Sequence, residues 1–141
     1  MFLSMLKESK ELVEKFPDLY RSYDDPNEAP DTIRGYDGTS LMGLYLAVFD
    51  LFRELVESGN EPRAHELLSY AKEKLYADRS NWPSDLSTAI ILGVFENFGH
   101  DEVLWKNLNK WFSKSEYLMF QEAFDYLLEH NEREILRKLY P

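Results

Sequence analysis

A chain of 141 residues has room for one all-helical or mixed domain with one core, and 44% hydrophobic with 15% aromatic content separates it from an acidic disordered tail. Its formal net charge of −10 repels phosphate backbones and anionic lipid, which disfavours nucleic acid or a membrane as partner and favours a basic protein surface. Cysteine is absent, which removes disulfides, thiolate catalysis and Cys-ligated zinc and fits a reducing compartment.

The first residues, Met1-Phe-Leu-Ser-Met-Leu, lack the basic segment, unbroken apolar run and small-residue cleavage site of a signal peptide, so a cytoplasmic protein is expected. Phe2 to Phe16 follows helical spacing, with Phe2, Leu6, Val13 and Phe16 near one face and Lys7, Glu11 and Lys15 on another. Pro17 ends this helix. From there to Gly38 the periodicity dissolves among Pro26, Pro30, Gly35 and Gly38, predicting a long loop with one helical turn near Leu19. Loops of that length inside a domain tend to be functional or mobile.

Thr39 or Ser40 caps a second, strongly apolar helix running to Ser58, with Gly59 as its stop. Asn60-Glu-Pro-Arg opens a third, where Pro62 is tolerated because the first turn does not need its missing N–H. Ala64, Leu67, Leu68, Ala71 and Leu75 form its apolar stripe. After the Asp78–Pro83 connection comes Leu86–Phe98, apolar on nearly every side and hence expected in the centre of a bundle. Ser84 is its expected N-cap and Gly99 its expected left-handed stop. Ala89, Gly93 and Asn97 leave one stripe nearly bare, which invites close approach by a neighbouring helix.

Asp101 caps a fifth helix to Phe112, burying Leu104, Leu108 and Trp111 with Lys106 and Lys110 outside. Ser113-Lys-Ser-Glu116 reads as a capping box for a sixth helix to His130, and Asn131-Glu-Arg-Glu134 as a box for a short terminal one. No stretch alternates like a strand. The expected fold is therefore all-α, a single-domain helical bundle of six to seven helices. In it Leu41–Val56 and Leu86–Phe98 lie side by side in the interior. Leu44–Phe52 also aligns with Ile90–Phe98 at an offset of about 46 residues, close to the period of HEAT-like helix pairs, which suggests a short right-handed stack.

Motifs for chemistry are scarce. His65, His100 and His130 have no second His or Cys at ligand spacing, and His65-Glu66 lacks the second His of a zincin helix. An EF-hand begun at Asp25 would place Pro30 where glycine is required. There is no phosphate-binding glycine loop and no nucleophile elbow. No metal, cofactor or catalytic residue is expected.

Asp50 and Glu96 hold equivalent places in the internal match, and Asn97 follows Glu96. These three read as structural polar groups, either at the edge of the buried face or, for Glu96, paired with Arg34 or Arg53 to fix register. The expected partner surface is the acidic, tyrosine-bearing run: Tyr20, Tyr23, Asp24, Asp25, Glu28, Asp31, Tyr36 and Asp37. There the tyrosines supply contact area and the carboxylates steer a basic partner. The same run could instead be an ordinary solvated loop.

Glu11-Leu-Val-Glu-Lys-Phe-Pro-Asp-Leu19, an apolar helix closing in Glu57-Ser-Gly-Asn60, and Leu86 through Phe-Glu-Asn-Phe98 together resemble a widespread bacterial family of small acidic helical proteins, up to about Tyr117. That resemblance implies an immunity-type or adaptor role, since some members look like immunity proteins encoded beside polymorphic toxins. It supplies no catalytic residue. The resulting expectation is a non-enzymatic interaction module, monomer or homodimer, that inhibits a basic protein partner. The alternatives are a helical-repeat scaffold or self-assembling adaptor, and a small carboxylate-dependent hydrolase.

Overall fold

The computed structural model describes residues 7–19 and 40–141, and among them every regular element is helical. The fold is an all-α helical bundle, as the periodicity predicts. The chain divides into two compact units, Met1–Ile90 and Ile91–Pro141.

In the first unit α1 spans Lys7–Lys15 and runs through a 3₁₀ turn at Pro17–Leu19. Leu12, Val13, Phe16 and Leu19 are all buried. Pro17 has no N–H to continue the helix, and the Lys15 carbonyl at its end accepts a 2.9 Å bond from the Arg63 guanidinium. Arg63 also lies 4.4 Å from the Phe16 ring centroid, so one side chain holds both the end of α1 and its aromatic anchor.

The second helix, α2 (Leu41–Glu57), begins at Ser40, whose hydroxyl accepts from the Gly43 N–H at 2.9 Å. It ends at Ser58 and Gly59, the latter at φ +81° in the left-handed region that glycine enters without strain. Then α3 (Glu61–Ala77) carries Pro62 in its first turn, and its whole predicted stripe is buried. Both α3 and α4 (Asp85–Ile90) pack on α2. Ser84 caps α4 as predicted: its Oγ accepts from the Ser87 N–H, and the Ser87 hydroxyl accepts from the Ser84 N–H in return.

Beyond Ile90 the structure departs from the single rod expected over Leu86–Phe98. The chain passes from α4 into a π turn at Ile91–Phe95 and then a 3₁₀ turn at Glu96–His100. Nor is the stretch enclosed on all sides. Val94, Phe95 and Phe98 are buried, but Thr88 and Leu92 are exposed and Leu86, Ile91 and Glu96 are half-buried. A π turn shifts the helical register by one residue, which carries Phe95 inward and leaves Leu92 outside.

The predicted small-residue stripe therefore changes role. Ala89 and Gly93 are buried, whereas the Asn97 side chain folds back and donates to the carbonyls of Gly93 (2.9 Å) and Leu92 (3.2 Å). Gly99 is not a left-handed stop either, because the one glycine with positive φ among the described residues is Gly59. Gly99 instead lies close against Leu127: a Cβ there would stand 3.0 Å from the Leu127 Cβ.

The rest of the second unit is built from short pieces. Asp101 caps α5 (Glu102–Lys106) at the Leu104 N–H, and a 3₁₀ turn follows at Leu108–Lys110. The Ser113–Glu116 capping box is present and opens α6 (Lys114–Met119). This helix stops at Phe120 and restarts as α7 (Gln121–Asp125), so the one helix expected to His130 is two. The terminal box is Glu129 with Glu132 rather than Asn131 with Glu134, and it opens α8 (His130–Arg137). Leu128 is buried, and Glu129 after it has the extended backbone of an N-cap.

Phe95 sits at the centre of this unit's core. Its ring meets Phe112 at 4.9 Å, Phe120 at 5.1 Å and Phe124 at 5.7 Å, the first two edge to face. The chain end is held by the Tyr140 ring stacked on Tyr117 at 4.6 Å, and by the Tyr140 hydroxyl donating to the Phe112 carbonyl. Burial pushes the Tyr140 phenol well above its ordinary range. The internal match is thus not a repeated helix pair. Leu44–Phe52 lies in a 17-residue helix, and Ile90–Phe98 lies mostly on π and 3₁₀ turns.

Candidate functional site

The eight residues expected to meet a partner, Tyr20, Tyr23, Asp24, Asp25, Glu28, Asp31, Tyr36 and Asp37, lie outside the described residues. So does Arg34, one of the two partners expected for Glu96. The other, Arg53, is half-exposed and 3.7 Å from Glu57 one turn along its own helix. Asp50 is on the exposed face of α2. The three polar residues therefore do not act as a set: Asp50 faces water, Asn97 ties down two backbone carbonyls, and Glu96 borders a groove.

That groove is an open concave surface that sequence reasoning did not foresee. It belongs to the second unit and has a volume of about 830 Å³. One wall comes from the π and 3₁₀ turns and presents Ile91, Leu92 and Glu96. The other comes from the α6–α7 junction, where Leu118, Met119 and Phe120 stand in succession, with Glu122 and Tyr126 further along.

Both walls owe their shape to irregular backbone. The π turn places Leu92 outside, 41% exposed. The break at Phe120 lets Phe120 enter the aromatic core, so Leu118 and Met119 stay 57% and 44% exposed. Tyr126 is 68% exposed at the rim. A signal for this was present in the sequence: three consecutive large apolar residues spread over more than half a helical turn, so on a helix with one buried face Leu118-Met119-Phe120 leaves at least one at the edge or in water. Glu96 and Glu122 are the charged residues of the lining, and both are acidic.

A second concavity, of about 460 Å³ in the first unit, is of a different kind. Glu11, Glu14, Lys15, Glu73 and Lys74 surround Tyr70 there. The Lys74 ammonium lies 2.9 Å from the Glu11 carboxylate, which it holds below the usual carboxylate range, while that bond raises the lysine. Burial pushes the Tyr70 phenol up. The Lys74–Glu11 bond ties α1 to α3.

His65, His100 and His130 are all exposed, and no group of three or more metal-ligating side chains occurs among the described residues. No described helix is long and apolar enough to cross a membrane. The fold and site define an all-helical domain with an open, acid-rimmed apolar groove. A family model described as a domain of unknown function, DUF7674, matches residues 9–129, and the chain belongs to that family. No curated protein and no solved structure matches the chain.

Proposed function

We propose that the chain is a non-enzymatic protein-binding module of the immunity or antitoxin kind, an inhibitor that masks a basic partner protein in the cytoplasm of a bacterium. The observation that carries this reading is the groove of the second unit, where Leu92, Leu118 and Met119 are exposed and the charged lining residues are Glu96 and Glu122. Clustered apolar side chains gain free energy when a partner removes them from water. Two carboxylates beside them, on a chain of net charge −10, select a partner rich in Lys and Arg.

The acidic run with Tyr20, Tyr23 and Tyr36 extends the same logic, adding aromatic contact area and further negative charge. The resemblance to small acidic helical proteins, some of them like immunity proteins, agrees with it. A cytoplasmic setting suits a sequence without cysteine.

The test is affinity purification of the tagged full-length chain from cells that encode it, followed by binding kinetics with the purified partner at rising salt. A basic partner whose association rate falls steeply with ionic strength is the expected result. An acidic partner, a salt-independent rate, or chemical turnover of the partner by the chain overturns the reading. Self-assembly through the groove, the adaptor alternative, is distinguished by a concentration-dependent dimer in sedimentation.

A further inference from the structure

We infer that the groove bounded by the π turn at Ile91–Phe95 and the α6–α7 junction takes one amphipathic helix of a basic protein. The apolar stripe of that helix seats on Leu92, Leu118 and Met119, and its flanking Lys or Arg side chains lie over Glu96 and Glu122. This deepens the binding-module reading and rests on it.

The recognition mode follows from what the groove presents. Strand addition needs a free sheet edge, and the described residues contain no strand. Capture of a phosphorylated or acidic segment needs a cluster of Arg, and this lining has no basic residue. An apolar trough answers to residues at i, i+3, i+4 and i+7 of a helix. Both walls already depart from regular helix to make the trough, at the π turn and at the break after Met119. Such π turns inside helices recur at functional sites.

Charge decides between occupants. A second copy of this chain brings its own net charge of −10 against two carboxylates, so a cationic helix is the complementary guest.

The test uses the full chain and a labelled peptide of about 18 residues, long enough to populate a helix, with Leu at i, i+3, i+4 and i+7 and Lys elsewhere. Its control has the same composition in scrambled order. The periodic peptide is expected to bind at least about tenfold tighter than the scrambled one. Met119→Glu and, independently, Leu118→Glu are expected to remove that preference. Leu118 is 57% and Met119 44% exposed, so the helical signal and melting temperature should persist.

Glu96→Gln with Glu122→Gln is expected to weaken binding and flatten its salt dependence. Amide shifts on titration should centre on Leu92, Met119 and Tyr126. Equal binding of the two peptides, shifts centred elsewhere, or a dimer abolished by Leu118→Glu overturns the proposal. A native partner whose affinity ignores Met119→Glu also overturns it while leaving the module reading intact. Periodic-peptide binding in the groove, with no basic partner recovered from cells, supports the site and overturns that reading alone.

Discussion

Gly99 shows how one missing carbon shapes the second unit. A Cβ there would stand 3.0 Å from the Leu127 Cβ, an atom one bond from the backbone rather than at the end of a flexible chain, so Leu127 would have to give by a few tenths of an ångström. Gly99→Ala is therefore expected to destabilise the protein by about 1–3 kcal/mol, read as a lower denaturant midpoint at unchanged m-value. A neutral result would mean that Leu127 yields.

Glu11 and Lys74 make a prediction about pH. Glu11 is held below its ordinary value of 4.5, so it contributes stability above that pH and loses it as pH falls through the depressed folded value. Asp78, lowered by bonds from Ser84 and Asn81, adds to the same acid limb. The difference in melting temperature between the parent and Glu11→Gln should be flat near neutrality and shrink below about pH 4.5. Both side chains are more than a third exposed, so the effect should be small and weaken with salt. A difference that grows in acid would refute the assignment.

Most helix starts fall where the local signal places them, the terminal box at Glu129–Glu132 being the exception. Ser40, Ser84, Asp101 and the Ser113–Glu116 box all sit where the sequence places them, because an N-cap is decided by residues within one turn of each other. The buried stripe of α3 was legible for the same reason. Breaks inside helices were not. The π turn at Ile91–Phe95 and the stop at Phe120 are imposed by packing, since Phe95, Phe112, Phe120 and Phe124 meet only if the backbone leaves its regular path.

The groove arises from those breaks, and the run Leu118-Met119-Phe120 is the one trace of it in the sequence. The expected partner surface, by contrast, was a compositional reading of residues 20–37. The aromatic cluster carries its own prediction: Phe95→Leu should cost about 1–3 kcal/mol through lost ring contacts and an imperfectly filled space. It should also lower binding of a hydrophobic dye at the groove, because the π turn that sets Leu92 outside loses the side chain that requires it. Unchanged stability would show that Phe95 does not hold the turn.

Charge acts on the molecule as a whole. With 26 acidic against 16 basic residues, the folded chain repels itself more than the unfolded one, and salt relieves this. Raising ionic strength from about 0.01 M to about 0.15 M shortens the screening length from about 30 Å to about 8 Å. The melting temperature by calorimetry should rise, since the exposed ion pairs lost in exchange are each worth little. A fall would mean that those pairs dominate.

The placement of the three tryptophans supplies built-in optical reporters. The indole N–H of Trp82 is fixed 3.1 Å from the Leu75 carbonyl in the first unit, whereas Trp105 and Trp111 are buried in the second. Trp105→Phe with Trp111→Phe leaves a lone fluorophore on residues 1–90, and Trp82→Phe leaves a pair on 91–141. Emission colour then follows each half of the chain separately as denaturant is added, without any label being attached.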